Sequence, residues 1–112
     1  MKGALKLNKN KDFKKVYNEG KFISEMYVVV YFRENEMDST RIGFTASKKI
    51  GKSVARNRAR RLMKESLRTI EGNLKKGYDI VFVARPTINE GNFHQVKESI
   101  ERILKKARLL EN

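Results

Sequence analysis

The stretch Lys48–Glu65, with the sequence KKIGKSVARNRARRLMKE, decides the fold because its helical part has two chemically different sides. When residues are placed at 100° intervals, one arc of the helix suits a protein core: Ala55, Ala59, Leu62, Met63, Ser66 and Ile70. The opposite arc is basic and polar: Arg56, Asn57, Arg60, Arg61, Lys64 and Arg68. We therefore expect the helix to bury its first arc and to present a row of cations to the outside.

The outer arc carries like charges at a spacing that destabilises a helix. Arg56, Arg60 and Lys64 follow one another at i,i+4 positions, where they repel. An ordinary solvated surface helix, which is the alternative interpretation, usually mixes charges of both signs. A polyanion relieves the repulsion, and guanidinium groups suit one because they grip phosphate with two hydrogen bonds and stack on bases. The pattern therefore favours a surface that binds nucleic acid.

The residues before this helix predict a phosphate site. Gly51 allows a sharp turn, and Ser53 is expected to be the N-cap. The first turn of a helix carries free N–H groups and partial positive charge. Lys48, Lys49 and Lys52 lie beside it, so the turn is a suitable seat for a phosphate group.

Composition limits the class of protein and the kind of partner. At 112 residues, the chain is expected to form one domain over residues 1–112. The net charge of +13 and the isoelectric point near 10.2 can be balanced by phosphate, a membrane surface or an acidic protein. A membrane-surface helix pairs its basic face with a large apolar face. The apolar arc here is narrow and rich in alanine, which disfavours a membrane partner.

Cysteine content and hydropathy indicate the compartment. The chain has no cysteine, so it has no disulfide framework and no thiolate metal site, as suits a reducing cytoplasm. The basic N-terminus lacks the apolar core of a signal peptide, and no apolar run approaches a membrane span. We therefore expect a cytoplasmic protein.

Periodicity along the chain predicts a mixed α/β (α+β) fold with the element order αβββαβα. We expect a two-layer sandwich of helices on a sheet of about four strands. The predicted helices run between Asn10 and Gly20, over 53–71, and onward from a cap at Asn92. The predicted strands are 21–24, 26–33, 41–47 and 78–84. Residues 1–9 are expected to form a basic arm.

Two apolar patterns bear on a possible groove. Phe13, Val16 and Tyr17 share one face of the first helix. We expect Val16 to pack on the sheet, whereas the two aromatic side chains either pack there too or line a groove rim and stack on bases. In the strand 41–47, the face formed by Gly43, Thr45 and Ser47 is small and leaves room for a neighbouring group.

The chain shows no catalytic signature. His94 is the only histidine, and a capping or surface role suits it better than catalysis. Glu34, Glu36 and Asp38 stand close together in a predicted loop, which is a poor platform for metal ions. We therefore predict a binding protein with no catalytic residue and no metal site. The chain has no helix-turn-helix pattern or zipper, and exposed aromatic residues beside a β-rich core favour RNA over DNA.

Three segments within and next to the basic stretch are similar to a known signature. Ser47–Gly51 (SKKIG), Ala55–Arg58 (ARNR) and Arg60–Glu65 (RRLMKE) resemble the signature of the bacterial ribonuclease P protein family. The flanking segments KDFKKVY, RIGFTAS and YDIVFVAR agree with it, so the resemblance covers nearly the whole chain.

The resemblance implies a function in tRNA processing. Members of the family are the small partner of a large catalytic RNA, and together they remove the 5′ leader of precursor tRNA by phosphodiester hydrolysis. The RNA and its bound Mg²⁺ carry the chemistry. The family's contacts with the catalytic RNA map onto Lys48, Lys49, Gly51, Arg56, Asn57, Arg58, Arg60, Arg61 and Lys64. Arg58 lies nearer the apolar arc, so it is expected to brace the site.

The resemblance also implies a cleft for the single-stranded leader, between the first helix and the sheet. Phe13 and Tyr17 match aromatic positions of the family, and Val30 is taken as the matching sheet position. Tyr31, one residue further, is expected on the opposite face. The family further implies a left-handed crossover through residues 41–84, although general rules favour a right-handed one.

Two other functions remain open at this point. One is a basic RNA-binding or RNA-chaperone protein that takes no part in processing. The other is a protein-only nuclease that relies on Glu34, Glu36 and Asp38.

Overall fold

The computed structural model describes residues 4–111, which form one mixed sheet and three α-helices. The strands are β1 (Leu5–Lys6), β2 (Lys21–Ser24), β3 (Val28–Glu34), β4 (Arg41–Thr45) and β5 (Tyr78–Ala84). The helices are α1 (Asn10–Glu19), α2 (Ser53–Arg68) and α3 (Phe93–Lys106). Short 3₁₀ turns cover Glu71–Asn73 and Pro86–Glu90.

The five strands lie in the order β1-β4-β5-β3-β2. β4 is parallel to β1 and β5, whereas β3 is antiparallel to β5 and β2. The α+β class and the predicted order of the other elements are confirmed, and α2 connects the parallel neighbours β4 and β5. The left-handed sense of this crossover stays a prediction.

The sheet has one strand more than the expected four, because part of the predicted basic arm is a strand. Leu5 pairs with Arg41 and Lys6 pairs with Ile42 in the parallel ladder of β1 and β4. A strand of two residues has no periodicity, so the sequence gives no signal for it. Residues 1–3 of the predicted arm lie outside the described part of the chain.

The main core lies between the sheet and the layer formed by α2 and α3. Val30 and Phe82 on adjacent strands meet Met63 of α2 and Ile100 of α3, and all four side chains are 0% exposed. Full burial of side chains of this size stabilises the fold by ~1.5–3 kcal/mol each relative to exposure. This core fixes which face of α2 is left for solvent.

The other face of the sheet carries α1, which adds to the two predicted layers. Val16 of α1, Val81 of β5 and Leu7 form a second buried cluster. Tyr31 and Val83 pack against it but are only partly buried. α1 therefore covers only part of this face and leaves an open strip of sheet beside it.

Several predicted element ends are corrected by the structure. α2 begins at Ser53 with Lys52 as its N-cap and no side-chain cap, so the assignment of Ser53 as N-cap is wrong. The same helix ends at Arg68, earlier than the expected residue 71, and a 3₁₀ turn follows. The predicted cap of α3 at Asn92 is confirmed, since its side chain and that of Gln95 form a reciprocal capping box.

Gly20 ends α1 as predicted, but for a different reason. Its φ of −92° is not left-handed. A Cβ at this position would lie 2.5 Å from the carbonyl oxygen of Phe32 and 2.6 Å from that of Val16. The glycine therefore allows the end of α1 to approach β3 closely.

Candidate nucleic-acid interface

The exposed side of α2 is a strip of cations, here called the basic face. Ala59 and Met63 are completely buried. The opposite arc of the helix therefore faces solvent. The basic face consists of Arg56, Asn57, Arg60, Arg61, Lys64 and Arg68. Across residues 4–111, the ion pairs involve only Arg33, Arg41, Lys97 and Arg102 as cations. The charges of the basic face are therefore not neutralised within the described chain.

Internal hydrogen bonds orient two arginines of the basic face. Arg56 donates from Nη1 to the carbonyl oxygen of Gly51 at 2.8 Å, and Gly51 has a φ of 143° that favours glycine. Arg60 donates from Nη2 to Oδ1 of Asn57 at 2.7 Å. The turn before the helix and the asparagine within it thus hold these guanidinium groups in place.

Arg58 points away from the basic face and holds a neighbouring turn. Its Nη2 donates to the carbonyl oxygen of Gly91 at 2.8 Å, and its Nη1 donates to that of Ile88 at 3.3 Å. The side chain of Asn89 donates to the carbonyl oxygen of Ile50 at 2.8 Å and ties the same turn to the β4–α2 loop. This geometry agrees with the bracing role expected for Arg58.

The β4–α2 loop places the predicted phosphate seat next to the basic face. Lys48, Lys49 and Lys52 are exposed, and α2 has no side-chain cap at its first turn. Free N–H groups at a helix N-terminus and nearby ammonium groups attract phosphate. Binding of phosphate at this place stays a prediction.

Aromatic side chains from three elements meet on the open strip of the sheet and are here called the aromatic cluster: Tyr17, Phe22 and Tyr31. The Tyr17 and Tyr31 rings lie edge-on with centroids 4.9 Å apart, and the Phe22 and Tyr31 centroids are 5.4 Å apart. Tyr17 is 39% exposed and Phe22 is 61% exposed. Burial raises the pKa of Tyr17, opposed by a hydrogen bond with Thr45, so the phenol stays neutral near pH 7.

The assignment of Val30 to the cleft is wrong. Val30 is 0% exposed and lies in the main core, opposite Ile23 and Phe82 in the ladder. Tyr31 is the β3 residue that faces α1. Successive residues of a strand point to opposite faces, so an error of one residue moved the assignment to the wrong side.

Phe22 is a member of the cluster that the sequence analysis did not identify. It pairs with Tyr31 across the β2–β3 ladder. This pairing depends on the register of the hairpin, and the sequence of the connection does not fix that register. The alternation of the strand 21–24 alone was too short to choose a face.

Phe13 has a structural contact besides its position near the groove. A Cβ on Gly43 would lie 2.6 Å from Cζ of the Phe13 ring. The small face predicted for the strand 41–47 is therefore occupied here by Phe13. The Phe13 and Tyr17 rings lie 6.4 Å apart, so Phe13 flanks the aromatic cluster.

A buried carboxylate anchors the end of the sheet where α1 begins. Asp79 is 1% exposed and accepts hydrogen bonds from Arg41 at 2.9 and 2.7 Å and from Asn35 at 2.8 Å. Burial alone raises the pKa of Asp79, but these hydrogen bonds and the nearby arginine charges outweigh it, so the pKa is lowered. The same contact with Asp79 raises the pKa of Arg41.

Two arginines link this carboxylate to α1. Arg41 also lies 3.3 Å from Asp12, in the first turn of the helix. Arg33 lies 4.0 Å from Asp79 and 3.5 Å from Glu19, in the last turn. Both ends of α1 are thus connected by ion pairs to the same sheet carboxylate.

Residues 4–111 contain neither a cluster of metal-binding side chains nor a helix suited to span a membrane. No three His, Cys, Asp or Glu side chains of residues 4–111 lie close enough to hold a metal ion together. No helix in that range has the length and apolar character needed to cross a membrane.

Comparison with known proteins identifies relatives over nearly the full chain. A family model described as Ribonuclease P matches residues 1–108. The ribonuclease P protein component of Caldanaerobacter subterraneus subsp. tengcongensis is 51% identical over 106 residues, covering 95% of this chain and 91% of that protein. The structure of the Staphylococcus aureus RNase P protein has a TM-score of 0.85 and 29% identity, covering 99% of this chain and 100% of that one. The RNase P protein from Thermotoga maritima has a TM-score of 0.81 and 35% identity, covering 90% of this chain and 96% of that one.

Proposed function

The chain belongs to the ribonuclease P protein family. From this premise we propose that one of its surfaces binds the catalytic RNA of the holoenzyme and another binds the substrate. A member of this family is the protein component of the ribonucleoprotein endonuclease that processes precursor tRNA. A basic RNA-binding or chaperone protein without a role in processing is not favoured by these matches. We take residues 1–112 to form one RNA-binding domain that works in the cytoplasm.

The basic face and the loop before it dock on the catalytic RNA subunit. The proposed contacts are Lys48, Lys49, Gly51, Lys52, Arg56, Asn57, Arg60, Arg61, Lys64 and Arg68, with Arg58 as a brace. The support is electrostatic, because none of these cations has an acidic partner in the described chain. Release of counterions from the RNA backbone makes such contacts favourable and dependent on salt.

The aromatic cluster holds the single-stranded 5′ leader of the precursor tRNA. Partly exposed rings that converge on an open strip of sheet are the usual platform for unpaired bases, and each stacked base contributes ~1–3 kcal/mol. Tyr17 and Phe22 offer the most exposed ring surface. This convergence of rings next to an uncompensated basic helix is the observation that carries the proposal.

Leader binding gives the holoenzyme a preference for precursor over mature tRNA, since only the precursor has a leader to hold. The described residues do not fit the role of a metal holder, because they contain no cluster of metal-binding side chains. As the family resemblance implies, we place the Mg²⁺ of the reaction mainly on the RNA subunit. The protein's cations screen repulsion between the phosphates of the catalytic RNA and those of its substrate.

The test uses the reconstituted RNA–protein complex and measures binding of precursor and mature tRNA. Tyr17→Ala together with Phe22→Ala is expected to weaken precursor binding by about tenfold or more, since each stacked base contributes ~1–3 kcal/mol. Mature tRNA binding is expected to stay unchanged. Met26→Ala is the matched control, because Met26 is 62% exposed but lies outside the cluster. Equal precursor affinity for the double variant and this control contradicts the proposed leader site.

A further inference from the structure

A pocket of about 720 Å³ opens at the β1 edge of the sheet, and the ring of Phe13 separates it from the aromatic cluster. Apolar side chains from three parts of the chain line it, including Leu5, Phe13 and Phe44. Its size lies within the range of ligand pockets, which is roughly 300–1,000 Å³. The pocket therefore has the volume and enough apolar surface to accommodate a nucleobase.

An unpaired strand edge supplies polar groups to this pocket. The ladder between β1 and β4 stops at Lys6 and Ile42, with one further hydrogen bond from the N–H of Leu7 to Ile42. β4 itself continues to Thr45. Within residues 4–111, no strand pairs with Gly43–Thr45 on that side, and the backbone there can donate to and accept from a base edge.

The wall formed by α2 supplies positive charge in a row. Arg60, Lys64 and Arg68 all line the pocket at successive i,i+4 positions, so they lie on one line along the helix. Nζ of Lys64 lies 6.0 Å from the centroid of the Phe44 ring. Glu71 is the only acidic residue among those that line the pocket. Such a row suits the repeating phosphates of a nucleic-acid backbone better than a single small anion.

We propose that this pocket binds one unpaired nucleotide of the catalytic RNA. The base lies across the free edge of β4, against Phe44 on the α2 side and Leu5 and Phe13 on the α1 side, and its own edge bonds to the backbone of β4. The flanking phosphates lie along Arg60, Lys64 and Arg68. The source is the catalytic RNA because the pocket shares Arg60, Lys64 and Arg68 with the basic face, whereas the aromatic cluster contains no residue of that face. The inference rests on the proposed docking of the basic face and adds an apolar subsite to it.

The test introduces a charge at the rim of the pocket and measures affinity of the whole protein for the catalytic RNA. Leu5→Glu is expected to weaken binding by about tenfold or more, the scale of one lost stacked base. Met26→Glu changes the charge equally at a similarly exposed site away from the pocket, and we expect less than about a threefold loss from its long-range repulsion at physiological salt. Leu5→Trp fills the pocket without changing charge and is expected to follow Leu5→Glu.

Chemical probing of the RNA at nucleotide resolution adds a second readout. One unpaired base is expected to be protected by the wild-type protein and by Met26→Glu, and to become reactive with Leu5→Glu. The proposed nucleotide pocket is contradicted if the two glutamate variants bind with equal affinity, or if no single base changes its chemical reactivity. If Arg61→Ala, outside the pocket, and Arg60→Ala, within it, both leave affinity unchanged, docking of the basic face itself is overturned.

Discussion

Arg41 and Asp79 face each other on neighbouring strands and join through two parallel hydrogen bonds, from Nε to Oδ1 at 2.9 Å and from Nη2 to Oδ2 at 2.7 Å. The carboxylate is 1% exposed, and Arg41 also donates to Asp12 of α1 at 3.3 Å. The pair therefore connects the sheet to the helix that carries Tyr17. Its integrity determines both the stability of the fold and the position of the aromatic cluster.

We expect the stability of the protein to depend on pH through Asp79. Burial alone raises the pKa of this carboxyl group, but its hydrogen bonds and neighbouring charges lower it below the ordinary 3.8. A group with a lowered folded-state pKa stabilises the fold above the unfolded value, and this contribution is lost as pH falls through the folded value. Asp79→Asn should lower the free energy of unfolding by ~3–5 kcal/mol at pH 7, because it leaves Arg41 without its partner.

Urea unfolding at pH 7 and at several values below 3.8 measures this effect. The difference in free energy of unfolding between wild type and Asp79→Asn is expected to narrow as the wild-type carboxylate takes up its proton. Asp38→Asn in the exposed β3–β4 loop is the control, with a change within ~0.5 kcal/mol. If this difference in free energy stays constant down to the lowest pH measured, the charge of Asp79 does not stabilise the fold.

Arg41→Lys should separate leader binding from RNA docking. A lysine keeps the charge but cannot reproduce the two-point contact or reach Asp12 at the same time. We expect α1 to be held less firmly, with weaker binding of precursor tRNA and unchanged affinity for the catalytic RNA. Arg33→Lys is the milder comparison, since Arg33 lies 4.0 Å from Asp79. Parallel losses of precursor and RNA affinity would instead indicate a general loss of folding.

Arg58 and Arg61 are only three positions apart on α2, but their replacement by alanine should affect different properties, stability for Arg58 and RNA binding for Arg61. Arg58→Ala removes two hydrogen bonds to the turn before α3 and should lower the free energy of unfolding by ~1–3 kcal/mol. Arg61→Ala should leave stability unchanged, weaken RNA binding and reduce the salt slope by about one. Thermal melts and RNA titrations at several salt concentrations distinguish the two. A reversed pattern would exchange the roles that the structure gives them.

The sequence predicted those parts of this fold whose side-chain pattern has one dominant period. The two arcs of α2 are an example, since Ala59 and Met63 are buried where the helical period puts them. It did not predict which face of β3 meets α1, because both the even-numbered and the odd-numbered residues of that strand include large apolar side chains. The family resemblance assigns Val30 to the cleft and Tyr31 to the opposite face, the reverse of the structure, and the pattern of the strand offers no correction. The cluster also depends on pairing between distant strands, which no local pattern determines.

Gly43 and Phe13 provide a test of close packing between β4 and α1. A Cβ at Gly43 would lie 2.6 Å from the Phe13 ring, so Gly43→Ala should displace the ring and destabilise the fold by ~1–3 kcal/mol. Phe13→Leu removes the ring atoms that clash. If the glycine is retained for this contact, the double variant should be more stable than the sum of the two single effects, with a coupling of ~0.5–3 kcal/mol.

The cycle is measured by urea unfolding of the wild type, both single variants and the double variant. Gly72→Ala is the matched control because Gly72 is exposed in a 3₁₀ turn outside both β4 and α1, and its effect should add to that of Phe13→Leu. The ring of Phe13 also lines the proposed nucleotide pocket, so Gly43→Ala should weaken binding of the catalytic RNA as well. Strict additivity of Gly43→Ala and Phe13→Leu would mean that the backbone of β4 needs the glycine for a reason other than this ring.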